Sequence, residues 1–130
     1  MRTRKQTLLL ILLPMLAVFV CQRLYLHLVR VQHVRLSGYL VHHLFFGVVI
    51  VIPAAFVLAF GPRQRWLAIL SPAALGIGSG MVLDEIAYLV VTQASDEEYV
   101  SRVSLVGAII FISLATLLLL WLYQSSRDET

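Results

Sequence analysis

Six ionisable side chains lie inside long apolar runs of this chain: Arg23, His27, His42, His43, Asp84 and Glu85. Burying such groups away from water is costly unless they are paired, ligate a metal or shed their charge. Histidine and carboxylate donors together suit Zn, Fe or Mn. His42, His43, Asp84, Glu85 and His27 are therefore the candidate ligands of a divalent metal ion. A metal-bound water at neutral pH would serve as the nucleophile of a hydrolase, with a spare carboxylate as base. The spacing is no recognised metal motif: His42 and His43 are adjacent, unlike the HxxxH or HExxH pairs that share one helical face. Without a metal, Arg23, Asp84 and Glu85 sum to minus one when the histidines are neutral, so a protonated histidine or carboxylate must balance the set. Tyr39 and Tyr88 join Arg23 as candidate members of such a polar network.

The elements that position these groups follow from composition. Of 130 residues, 60% are hydrophobic and 13% charged, with a mean hydropathy of +0.90. A soluble domain carries about 25% charged residues, so the bilayer is the natural solvent. A hydrocarbon core of ~30 Å needs roughly 20 helical residues. Four runs meet this, at about 7–29, 38–60, 66–91 and 101–123. The sequence thus predicts an all-α membrane protein, residues 1–130 forming one domain of four transmembrane helices. Short linkers make consecutive helices antiparallel neighbours in a bundle. Pro14 and Pro53 fall inside spans, where neighbouring helices tolerate them. The apolar stretch from Leu8 to Cys21 is followed by no small-x-small cleavage site and is expected to remain as the first span.

The same facts exclude several classes. The net charge is +3, but the basic residues sit in short flanks beside apolar runs, which writes membrane topology rather than nucleic-acid binding. Arg2, Arg4, Lys5, Arg63, Arg65 and Arg127 flank one side; Arg30, Arg35 and Arg102 flank the other. The positive-inside rule then puts both termini in the cytoplasm, in what is expected to be a prokaryotic cytoplasmic membrane. Cys21 is the single cysteine, so a disulfide framework within the chain is excluded, as is a membrane thiol oxidoreductase, which needs cysteine pairs.

Late first span, early second and late third all fall in the same half of the bilayer. At 1.5 Å per residue Arg23, His42, His43, Asp84 and Glu85 lie roughly 6 to 11 Å below that surface, and His27 lies nearer to it. Arg23 and His27 are four apart and share a face; Tyr39, His43 and Gly47 form a second stripe, and Gly76, Gly80, Asp84 and Tyr88 a third. Glycine lets helix backbones approach closely in membranes. Gly47, Gly76, Gly78 and Gly80 are the candidate packing positions. The simplest arrangement sets Gly47 against the Gly76–Gly80 surface and brings His43 toward Asp84; Arg23, His27, His43 and Asp84 are then expected to form one connected site, with His42 and Glu85 at its edge. In the fourth span Ser104, Gly107 and Ala108 offer a small packing surface and no obvious chemistry.

Two segments, Val41-His42-His43-Leu44-Phe45-Phe46-Gly47 and Gly76-Ile77-Gly78-Ser79-Gly80-Met81-Val82-Leu83-Asp84-Glu85, together resemble a family of small, uncharacterised prokaryotic integral membrane proteins with HHxxxG and GxGxGxxxDE segments. That family often continues with an aromatic-rich stretch and a D-x-Y-W turn, to which Tyr88 and Asp96–Tyr99 would correspond, although the tryptophan is missing here. The resemblance implies that His42, His43, Asp84 and Glu85 act as one set; it implies no reaction.

Three functions are open on this reading. The first is a small polytopic membrane protein with an intramembrane His/carboxylate/Arg site for a divalent metal, an enzyme only if that metal serves hydrolysis. The second is a small transporter or proton-coupled carrier. The third is a non-catalytic component whose polar layer is structural. The expected partners are the lipid bilayer and either a second copy of the chain or another membrane protein.

Overall fold

A computed structural model describes residues 3–29, 34–36, 39–92 and 96–128, with only the backbone at 34–36, 39, 40, 96, 97, 127 and 128. The protein is a helical bundle. Its elements run α1 (Arg4–Leu28), β1 (Val34–Leu36), β2 (Tyr39–Val41), α2 (His43–Phe60), α3 (Leu67–Val91), α4 (Asp96–Tyr99) and α5 (Arg102–Asp128). α1, α2, α3 and α5 are each long and apolar enough to cross a membrane, as expected of an integral membrane protein.

Helix bounds differ from the sequence expectation mainly at α2, which begins at His43 rather than Gly38. Residues 39–41 pair instead with 34–36 in an antiparallel ladder, Val34 opposite Val41 and Leu36 opposite Tyr39. Val34, Tyr39 and Val41 are β-branched or aromatic, residue types that favour strands. The fourth helix runs on to Asp128, and α1 starts at Arg4 behind a capping box in which Thr3 and Gln6 satisfy each other's backbone N–H groups.

α3 is the centre of the bundle. It packs against α2, α1 and α5, and α1 also touches α5. The apolar core is slight: Met15, Ala54, Ala87, Tyr88, Tyr99, Ala108 and Ile112 are buried, while most large apolar side chains point outward. In lipid that is the expected balance, because hydrocarbon solvates leucine as well as another helix does; close packing and polar contacts must hold the helices together.

The glycines supply the close packing, in a different arrangement from the expected one. Gly76 and Gly80 face α1, not α2. A Cβ at Gly80 would lie 2.6 Å from the Met15 carbonyl oxygen, and one at Gly76 would strike the Ile11 carbonyl. Gly78 is the residue that meets Gly47: a Cβ on either would sit 2.7 Å from the other's carbonyl oxygen. Two residues turn a helix by about 200°, so alternate glycines serve opposite faces. At the far end of α3, Ala87 closes on Gly107 of α5.

Gly80→Ala is therefore expected to push α1 off α3. Overpacking of this kind costs roughly 1–3 kcal/mol. Ala55→Leu, on the exposed face of α2, should leave stability unchanged. Thermal unfolding in detergent checks both; equal melting temperatures for Gly80→Ala and Ala55→Leu would remove the close-packing argument.

Candidate functional site

α1 and α3 run parallel, with Ile11 beside Gly76 and Met15 beside Gly80. The register advances four residues on each helix, which would set position 23 beside 88. Long helical side chains lean toward the helix N-terminus, so the Arg23 guanidinium reaches back one turn to Asp84. Its Nε donates to Asp84 Oδ1 at 2.5 Å. Nη2 donates to the Asp84 carbonyl at 3.0 Å and to Ser104 Oγ at 3.2 Å. Nη1 donates to the Tyr99 carbonyl at 3.0 Å, and the guanidinium carbon lies 4.5 Å from the Tyr99 ring centroid. One arginine thus ties α1 to α3, α4 and α5. Its planar fork of donors makes this possible; an ammonium offers no such geometry.

The second oxygen of Asp84 accepts the Tyr99 hydroxyl and lies 3.3 Å from His43 Nε2. Glu85 faces α2. Its Oε1 is 2.6 Å from His42 Nδ1, and its Oε2 accepts the Leu44 backbone N–H at 2.7 Å. His42 occupies the N-cap of α2 without a side-chain capping bond. A carboxylate from the neighbouring helix fills that role instead, where the helix dipole favours negative charge. Glu85 Oε2 also lies 3.3 Å from His43 Nδ1. The His43 ring therefore spans both carboxylates, one nitrogen to each.

Every carboxylate oxygen in the cluster has a partner. With a proton on each nitrogen of His43 the four charged groups, Arg23, His43, Asp84 and Glu85, sum to zero. Asp84, Glu85 and Arg23 are buried, at 0, 2 and 7% exposure. The histidine side chains are more open, at 11% for His42 and 21% for His43. They face the end of the bundle opposite the chain termini, which Arg4 joins by donating to the Ser126 carbonyl. Burial, and then the nearby Asp84 charge, push the Tyr99 phenol well above its ordinary range, so the hydroxyl stays a donor.

Arg23, His42, His43, Asp84 and Glu85 thus come together, and His42 and Glu85 are integral to the cluster rather than at its edge. Tyr88 is buried beside it, its ring 5.1 Å from Tyr99 and 6.1 Å from His42. His27 does not join. It is exposed one turn beyond Arg23, because Arg23 reaches in the opposite direction along α1. The Tyr39 side chain and His33 lie outside the described residues. Among the described residues no group of three or more His, Cys, Asp or Glu side chains is placed to hold a metal ion. A cation at His42, His43, Asp84 and Glu85 would have to displace the donors already there.

Two members were missed in the sequence. Tyr99 is buried and contacts Arg23, Asp84, His43 and Tyr88; its only signal was the acidic, aromatic turn of the resemblance. Ser104 is fully buried and accepts from Arg23, although the fourth span showed no obvious chemistry. In comparisons with known proteins, no family model, no curated protein and no solved structure matches this chain.

Proposed function

We propose that the protein is a non-catalytic membrane component whose intramembrane charge network pins the start of α2 and the short helix α4 to the α1–α3 core. The observation that carries this reading is the complete engagement of Asp84 and Glu85 by partners from three other elements: Arg23 of α1, Leu44 and both histidines at the start of α2, and Tyr99 of α4. A buried polar network with every member satisfied rigidifies and specifies one arrangement. The product is a fixed placement of the start of α2 and of α4 on the core, suited to holding a membrane partner. The HHxxxG and GxGxGxxxDE segments carry most of the network and fit the same role.

The deciding experiment is elemental analysis of the purified full chain, with thermal unfolding before and after chelator treatment. A metal-free protein whose melting temperature ignores the chelator is the expected result. Stoichiometric Zn, Fe or Mn whose removal lowers the melting temperature would replace this reading with a metal site. Solute or proton flux in proteoliposomes would replace it with a carrier.

The basic flanks favour cytoplasmic termini, so the network would open away from the cytoplasm of a prokaryotic cell. In a Cys21→Ser background, a membrane-impermeant thiol reagent applied to intact cells should label Val100→Cys and spare Gln64→Cys. The reverse pattern would invert the orientation.

A further inference from the structure

We propose that a groove between α3 and α5 holds one phospholipid, its phosphate on Arg102 and one acyl chain running along the cleft. Ala87 and Gly107, both nearly without side chains, let the two helices close at one point. A groove of about 530 Å³ runs along the flank of this contact, and Ala87 and Gly107 line its middle. Val90 and Val91 form one wall and Val106, Ile110 and Phe111 the other, and among the described residues Arg102 is the one charged residue of the lining. Arg102 and Phe111 are nine positions apart on α5, so the groove extends roughly 14 Å into the hydrocarbon layer.

A cleft of this kind in a membrane-facing surface must be filled. Left empty, its walls forfeit their dispersion contacts. Water finds almost no polar partner there, and it needs two to four. An alkyl chain satisfies the walls. Arg102 adds the second observation. It is exposed at the first residue of α5, the level at which headgroup phosphates lie, and it takes no part in the Arg23 cluster. A guanidinium pairs bidentately with phosphate oxygens. The positive end of the α5 dipole adds to the attraction. Apolar walls with one cation at the mouth complement a phospholipid, whose own charge and chain are arranged in that order. A second copy of this chain would bring a helix to a cleft narrowed at Ala87–Gly107.

Native mass spectrometry of the detergent-solubilised full chain, titrated with phosphatidylglycerol, tests this. One lipid per chain is expected. Arg102→Gln should weaken retention about tenfold, the equivalent of one lost charge-assisted contact. Val106→Trp, which fills the groove from an exposed position, should abolish retention while leaving the melting temperature unchanged. Diacylglycerol, with the same chains and no phosphate, and inorganic phosphate, with no chains, should each bind far more weakly. Retention unaffected by either variant, or equal retention of diacylglycerol, would overturn the proposal. So would a dimer that Val106→Trp dissociates in the absence of lipid.

Discussion

Asp84→Asn should destabilise the protein more than any other single polar change, by about 3–5 kcal/mol, the usual cost of removing one partner from a buried ion pair. Asparagine keeps the shape but not the charge. Arg23, 7% exposed, would then face a neutral amide where its Nε now meets a carboxylate at 2.5 Å. The amide would also present N–H groups or a weaker acceptor to the Tyr99 hydroxyl and to His43. Arg23→Leu should cost a similar amount for the mirrored reason, since it strands the Asp84 carboxylate at 0% exposure. The double variant Arg23→Leu/Asp84→Leu is the informative one. Replacing a whole buried pair by apolar residues of similar volume is often close to neutral, so the double variant should recover at least ~2 kcal/mol relative to the sum of the singles. Unfolding by SDS titration in mixed micelles gives the three free energies, with Arg65→Gln in the exposed α2–α3 connection as the control. Additivity within about 0.5 kcal/mol would show that the ion pair does not support the fold.

The layer of charge was legible in the sequence because depth in a membrane follows from position in a span. Arg23, His43, Asp84 and Glu85 fall at one level by arithmetic on helical rise alone. Rotation about each helix was harder to read. The three glycines of α3 look like one surface in sequence, yet Gly78 points away from Gly76 and Gly80 and meets a different helix. His27 shares a face with Arg23, but a side chain's lean along its helix decides which turn it reaches, and Arg23 leans away from His27. Tyr99 was out of reach for another reason. It sits on the four-residue helix α4, too short to show a period, and its ring is placed by Arg23 and Asp84 rather than by local propensity. The start of α2 was obscured because Tyr39–Val41 is apolar enough to extend a span; only its pairing with Val34–Leu36 takes it out of the helix.

The second large effect is expected at His43, and its coupling to Glu85 reports the charge the ring carries. His43 Nε2 and Nδ1 each lie 3.3 Å from a carboxylate oxygen, of Asp84 and Glu85 respectively. If both nitrogens donate, the ring is an imidazolium and the cluster is neutral. His43→Ala then leaves Arg23 facing two carboxylates, a buried excess of one negative charge. Glu85→Gln in the wild-type background creates the opposite imbalance and also weakens the cap on the Leu44 N–H. Each single change should therefore be costly. Together they restore neutrality, so Glu85→Gln should cost less in the His43→Ala background than alone, with a coupling of about 1–3 kcal/mol. A neutral His43 predicts otherwise: removing it leaves the charge sum untouched, so only the single 3.3 Å contact to Glu85 is left to couple the two changes, and the coupling falls below about 1 kcal/mol. The hydrogen bond from Leu44 belongs to the Glu85 term in both arms of the cycle and cancels from the coupling. A coupling below about 1 kcal/mol, measured by the same SDS titration at neutral pH, would remove the imidazolium from the network and leave Asp84 and Glu85 to share their balance with a carboxyl proton.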